Sequence, residues 1–236
     1  MSTKLQVPYI TAWSEETMDH GLGFVWADEA DGLRLTYGDP HPGDWSLGVL
    51  WMRQGLTGGG KPEWKRVNAL RQRRCMLRKL CQVCGGSAVD QVTGRTWWLL
   101  ADEADQGPPA AGYTNAPPTC LPCIPDSLTL CPHLRRGSAV YTVGDAQPYG
   151  VIADLFAPSG GKKIAHVQRS ATLQLDEFRK LQHALAKQLL VVLDDLIPYP
   201  GIPRVPESLP TEDPCLRLRS VSGGDTPVVS RRPGAL

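Results

Sequence analysis

Short runs of apolar and β-branched residues recur through the first fifty positions: Phe24-Val25-Trp26, Leu33-Arg34-Leu35-Thr36-Tyr37 and Val49-Leu50-Trp51. Gly, Asp and Pro separate them, so each run reads as a strand between turns. Thr57-Gly58-Gly59-Gly60-Lys61 reads as a flexible connector, because the GxxxxGK[ST] spacing of a phosphate-binding loop is absent. The pattern changes at Pro62, which suits a first helical position, with Glu63 in the first turn where a helix dipole favours an acid. A helix is therefore expected from Trp64 to Leu80, its apolar residues being Trp64, Val67, Leu70, Met76, Leu77 and Leu80. Arg74 interrupts that face and marks a break near Arg74-Cys75.

Further along, Ala139–Val143, Tyr149–Phe156 and Lys163–Gln168 are β-rich, with turn residues such as Gly144-Asp145 and Pro158-Ser159-Gly160-Gly161 between them. This is the pattern of a small antiparallel meander. From Leu175 to about Leu196, Phe178, Leu181, Leu185, Leu189, Val192, Leu193 and Leu196 recur at three- or four-residue spacing, which predicts a long amphipathic helix ended by Pro198. Such a helix would pack on the meander or, less naturally, pair with a second copy. Residues 198–236 are rich in Pro and poor in large hydrophobes, the composition of a disordered tail.

Composition bounds the class. With 236 residues, 42% hydrophobic and 21% charged, the chain has room for one large or two small domains and is neither fibrous nor wholly disordered. No apolar run approaches the roughly 18 residues that span a bilayer, and MSTKLQVPYITAWSEE has neither the basic nor the long apolar part of a signal peptide. The expectation is a cytoplasmic protein with no membrane partner. All 7 Trp precede residue 99, and each can bury about 150–250 Å², which places the principal core in the first half.

The formal net charge of +1 conceals an acidic start and a basic continuation: residues 1–50 hold 8 acids and 2 bases, residues 51–100 hold 2 acids and 10 bases. Either the two segments pack against one another, or the basic one meets an anionic partner. Arg71, Arg73, Arg74, Arg78 and Lys79, joined by Arg135 and Arg136, are the candidate nucleic-acid-binding residues; phosphate neutralisation by such side chains gives salt-dependent, weakly specific affinity.

Cysteine spacing carries the most chemistry. Two CxxC pairs, Cys81-Gln-Val-Cys84 and Cys120-Leu-Pro-Cys123, offer four soft thiolates, enough to close the tetrahedral shell of a structural Zn²⁺. Gly85-Gly86 suits a knuckle that needs positive φ. Thirty-five residues separate the pairs, more than the usual spacing of about 15–20. A strand at Arg95–Leu100 and a loop at Gln106–Gly112 absorb the excess. An iron–sulfur cluster has the same ligand type, and a redox dithiol is the remaining reading. Cys75, Cys131 and His133 are the candidates for a second metal, against the simpler view of Cys131 as a small buried residue and His133 as a surface or helix-end residue. Cys215 lies in the tail.

The stretch RQRRCMLRKLCQVCGG, then WWLLADEA, then NAPPTCLPCIPDSLTLCPHLRRG (residues 71–137) resembles a treble-clef zinc finger: knuckle, hairpin, then a cysteine pair opening a helix. Together with the VPYITAWSEE start, it also resembles proteins common in actinobacterial genomes and their mobile elements, over most of the chain to about residue 200. No activity comes with that resemblance. HNH endonucleases build a catalytic site on the same finger, but their hairpin histidine has no counterpart at Ala101-Asp102-Glu103, and Ile124 follows Cys123 where they carry a polar residue. Asn115 stands near their loop Asn. The general base and a metal-holding group are thus missing.

The expected fold is α+β: a treble-clef-like zinc module embedded in a small mixed domain with a β-meander and one long C-terminal helix. Its segments are residues 1–61 (acidic, Trp-bearing, β-rich), 62–137 (basic helix and zinc module), 138–197 (meander and helix) and 198–236 (tail). The expected function is a non-enzymatic zinc-binding protein, a nucleic-acid-binding or regulatory module of an actinobacterial or phage-type mobile system. A protein–protein adaptor and an HNH-like metal-dependent endonuclease are the alternatives. The implied cofactor is Zn, and the implied partner is nucleic acid or another protein.

Overall fold

A computed structural model of the protein describes residues 6–18, 21–28, 32–101, 113–160 and 163–201. Its strands are Thr11–Trp13 (β1), Leu22–Ala27 (β2), Gly32–Tyr37 (β3), Trp45–Ser46 (β4), Val49–Trp51 (β5) and Pro62–Val67 (β6), followed by helix Ala69–Arg78 (α1). Then come Thr96–Ala101 (β7), Tyr113–Thr114 (β8), helices Ile124–Leu130 (α2) and Pro132–Arg135 (α3), and strands Ser138–Pro158 (β9) and Ile164–Gln174 (β10). The one-turn helix Phe178–Leu181 (α4) and strand Ala184–Pro198 (β11) complete the order. The result is a mixed α+β fold in which sheets dominate.

Its frame is a seven-stranded sheet in the order β10-β9-β11-β5-β4, with β7 also paired to β9 and β8 to β11. The two expected strand runs at 139–156 are one strand, β9, which pairs antiparallel with β10, β11 and β7 along its 21 residues. β5, Val49–Trp51, pairs parallel to β11 at Leu185↔Leu50 and Ala186↔Trp51.

The long C-terminal helix expected over 175–196 is not formed. That stretch is the short α4 and then β11. β11 is a central strand with neighbours on both edges, and Ala184, Leu185, Ala186, Leu189, Leu190, Val191 and Leu193 are all buried. A strand covered on both faces shows a nearly continuous apolar run rather than alternation. Register shifts between Ala186 and Gln188 and between Leu190 and Val191 also disturb the period of two, leaving a spacing that mimics a helix.

The helix expected from Trp64 to Leu80 divides in two. Residues 62–67 form β6, paired antiparallel with β1, and Pro62 opens an edge strand rather than a helix. Asn68 is the true N-cap: its side chain accepts from the Arg71 N–H at 3.1 Å. α1 then runs unbroken through Arg74-Cys75 to Arg78, and Lys79 closes it at φ 52°. Arg74 points outward while Cys75 and Met76 are buried, so the interruption in the apolar pattern falls on the solvent side.

The principal core draws on both halves of the chain, not on the Trp-rich half alone. Trp51 and Trp98 pack with Met76, Val143, Val151, Leu173, Leu181, Leu189 and Leu193. Trp26 and Trp64 are exposed. The face of α1 toward β11 carries Gln72, which is fully buried. Its amide N–H groups donate to the carbonyls of Asn115 and Leu189, both at 2.9 Å, and its Oε1 accepts from the Leu189 N–H at 2.9 Å. Replacing Gln72 with Leu is expected to cost about 1–3 kcal/mol for each buried group left without a partner. A lower urea midpoint at unchanged slope is the readout.

No helix among the described residues is long and apolar enough to cross a membrane. The expected tail beyond residue 201, with Cys215, and the expected loop Gln106–Gly112, with Asp102 and Glu103 before it, lie outside the described residues.

Candidate metal centre

The C-terminal turn of α1 delivers the chain to the first cysteine pair. After Lys79, the Cys81 N–H donates to the Gly86 carbonyl at 2.7 Å and the Gly85 N–H to the Cys81 carbonyl at 2.8 Å. These two bonds close a tight knuckle around Cys81 and Cys84. Gly85 sits at φ +75°, and a Cβ there would stand 3.1 Å from the Tyr9 ring, so both conformation and space require glycine. A narrow hairpin follows: the Trp97 N–H donates to the Ala88 carbonyl at 2.9 Å, and the Asp90 N–H to the Arg95 carbonyl at 2.7 Å. The second pair stands where a single 3-10 turn, Leu121–Cys123, runs into α2.

The two pairs are tied together by groups other than sulfur. Gln82, between the first two cysteines, donates through its side chain to the Pro117 carbonyl at 3.1 Å and to Thr119 Oγ1 at 2.9 Å. Its backbone N–H donates to the Pro118 carbonyl at 2.8 Å. Tyr9 and Ile10 donate their N–H groups to the carbonyls of Val83 and Gln82, which attaches the acidic start of the chain to the knuckle.

This frame brings Cys81, Cys84, Cys120 and Cys123 together, with all four sulfurs within 4.8 Å of one another. Cys84 Sγ and Cys120 Sγ are 3.7 Å apart. Four sulfurs at about 2.3 Å from one tetrahedral ion would stand about 3.8 Å apart, so the spacing fits a single metal ion. A disulfide needs S–S near 2.05 Å, and the described cysteines are all free. Cys81 and Cys120 are buried against Ala88, while Cys84 is exposed, so one side of the site faces solvent.

The electrostatics point the same way. Burial pushes the Cys120 thiol up to about 11, and burial with the neighbouring thiols raises Cys123 further. Burial opposes ionisation of Cys84 too, but the Gly86 N–H and the surrounding sulfurs outweigh it and hold that thiol below its ordinary range. Four thiolates so close would repel strongly, so a cation held among them would favour the ionised set.

Among the described residues, Cys75, Cys131 and His133 do not form a second site. Cys75 is fully buried, burial pushes its thiol up to about 12, and its Sγ lies 3.8 Å from the Cys81 carbonyl. Cys131 caps α2 by donating its N–H to the Ser127 carbonyl at 3.0 Å, and His133 is exposed on α3. Among the described residues the four CxxC cysteines are the one group of His, Cys, Asp or Glu placed to hold a metal.

The candidate basic surface is smaller than the sequence suggests. Arg71 is buried: its Nη1 donates to the Thr11 carbonyl at 3.0 Å, and both terminal nitrogens contact the carboxylate of the fully buried Glu16. That carboxylate also accepts from the N–H groups of Trp13 (3.0 Å) and Gly58 (2.9 Å) and from Asn68 Nδ2 (3.0 Å). The glycine run is therefore not a loose connector, because Gly58 helps hold Glu16 in place. Arg73 is half-buried with its guanidinium 4.4 Å from the Trp51 ring centroid. Neither residue is a surface cation. Lys79 Nζ lies 3.7 Å from Asp145 Oδ1. Arg74, Arg78, Arg135 and Arg136 are exposed.

The positions that an HNH-type site would use are otherwise engaged. Asn115 Nδ2 donates to Gln188 Oε1 at 2.9 Å, and Ile124, where a metal-holding group would be needed, is fully buried against Trp97 and Leu128. Tyr9, Glu16 and Gln82 lie within quoted phrases, but their contacts were visible only once the fold joined their segments. No family model, curated protein or solved structure matches the chain.

Proposed function

We propose that the chain is a non-enzymatic zinc-binding protein in which the Cys81, Cys84, Cys120 and Cys123 site is structural, and that the zinc-bearing module contacts nucleic acid. The observation that carries the zinc reading is a set of four sulfurs at tetrahedral spacing, on a knuckle and a helix start already linked through Gln82. Four thiolates leave no open coordination position, which suits a structural rather than a catalytic ion. Knuckle, hairpin and a cysteine pair opening a helix follow the treble-clef order, which supports that assignment, and β7 pairs on with β9 beyond the hairpin.

For nucleic acid, the support is the exposed set Arg74, Arg78, Arg135 and Arg136, none of which forms an ion pair among the described residues. The test is duplex affinity over a salt series. Each phosphate contact contributes a slope of about −0.9 to log K against log[salt], so a variant with Arg135→Gln and Arg136→Gln should flatten the slope by about 2. Affinity that ignores salt, or an unchanged slope in the double variant, contradicts the reading.

The adaptor alternative has one observation of its own: Trp26 and Trp64 are 65% and 53% exposed. Aromatic side chains of this size anchor protein interfaces.

A further inference from the structure

The four cysteines of the metal centre differ in how solvent reaches them. Cys81 and Cys120 are buried, Cys123 is half-buried, and Cys84 is exposed. Gly86, two residues on, is exposed as well, and its φ lies outside the left-handed region, so its backbone does not call for glycine. A Cβ built there would stand 3.5 Å from Cys84 Sγ and, among the described residues, within 4 Å of no other atom beyond its chain neighbours. The absent side chain thus leaves open space beside that sulfur. Within the site, Cys120 Sγ stands 3.7 Å from the same atom. Cys81 Sγ, on the buried side, accepts the Val83 N–H at 3.4 Å.

An accessible thiolate beside a second cysteine is the arrangement that reacts with peroxides and resolves to a disulfide. We propose that Cys84 and Cys120 form an oxidation site for hydrogen peroxide, and that their oxidation opens the metal centre and expels its ion. The inference rests on the zinc reading of the same four cysteines, since a coordinated sulfur is already a thiolate. Cys84 Sγ attacks the O–O bond, keeping one oxygen as a sulfenic acid while the other leaves as hydroxide. The Cys120 thiolate then attacks the Cys84 sulfur, forming the S–S bond and expelling a second hydroxide. The two sulfurs lose two electrons, the peroxide gains them, and two protons from solvent turn both hydroxides into water. The disulfide takes two ligands from the ion, and Cys81 with Cys123 supplies only half of a tetrahedral shell.

The test treats the zinc-loaded full chain, freed of reductant, with hydrogen peroxide. A chromogenic indicator reads zinc release, and peptides are mapped without reduction. About one zinc per chain should be released, Cys84–Cys120 should be the first linkage, and dithiothreitol with added zinc should restore the loaded protein. Cys84→His keeps four ligands but removes the exposed thiolate, so its release should be slower by about tenfold or more. Cys131→Ser, outside the set, should release zinc at the parent's rate. A loaded chain that keeps its zinc under peroxide, or equal release in Cys84→His, would overturn the proposal. Cys81–Cys84 as the first linkage would overturn the assignment of Cys120. A chain that purifies without zinc overturns the metal reading itself, and the proposal with it, so the two failures are distinguishable. The parent measurement needs no variant, so it holds even if Cys84→His fails to fold.

Discussion

Chelating the metal, or replacing Cys120 with Ser, is expected to abolish cooperative unfolding and leave a protease-sensitive chain. A structural zinc contributes about 10–16 kcal/mol of apparent binding free energy in small modules, as much as the 5–15 kcal/mol or so that stabilises a whole domain. Cys120 is 8% exposed and packs with Cys81 and Ala88, so serine there both removes a ligand and puts a hydroxyl into an apolar cluster. The links through Gln82 hold the two cysteine pairs near one another by three hydrogen bonds, a small contribution beside that of a structural ion. Near-ultraviolet circular dichroism with a thermal ramp, before and after chelation, measures the effect. Unchanged melting would show that the frame stands without metal.

The second large effect is expected at Glu16. Replacing it with Ala leaves Arg71 charged, buried and without its carboxylate, a situation that costs about 3–5 kcal/mol. A double variant, Glu16→Leu with Arg71→Met, should recover only part of this. Removing both charges ends the unpaired burial, yet the N–H groups of Trp13 and Gly58 and the amide of Asn68 still lose their acceptor. The pH dependence has a definite sign. Burial works to raise the Glu16 pKa, but the Arg71 guanidinium and the other donors outweigh it, so the carboxyl sits below its ordinary value of 4.5. The unfolded chain therefore binds a proton at higher pH than the folded one does. The stabilisation is complete above about pH 4.5 and is lost as the pH falls through the lower folded value. In urea titrations, Glu16→Gln should be less stable at neutral pH and show a shallower acid limb than the parent. Parallel acid limbs would contradict the assignment.

Glu16 and Arg71 also explain the charge pattern along the chain. The acidic start and the basic continuation meet at this pair, and β1 with β6 joins the same two segments. Of the two readings of that pattern, internal pairing accounts for Arg71 with Glu16 and for Arg53 with Asp39 and Asp44. Arg74, Arg78, Arg135 and Arg136 are exposed and outside that pairing among the described residues.

What could be read in advance followed the strength of local chemistry. Cysteine spacing with a glycine knuckle is a short-range signal, and the four sulfurs stand together as it implied. The strands at Phe24–Trp26, Leu33–Tyr37 and Val49–Trp51 were legible because turn formers bound them. β11 was not legible, because burial on both faces and two bulges gave its leucines a helical spacing. The start of α1 was misplaced because Pro62 resembles a helix opener, whereas the side chain that caps the helix is Asn68. The burial of Arg71 and Arg73 depends on contacts 55 and 22 residues away in sequence, with Glu16 and Trp51, which no local pattern encodes.

The measurement that bears most directly on the zinc assignment is metal analysis with X-ray absorption on the chain purified without chelators. The account predicts about one zinc per chain in a shell of four sulfurs at about 2.3 Å. Iron in place of zinc, or a fully folded chain with no metal and disulfides between the pairs, would contradict it.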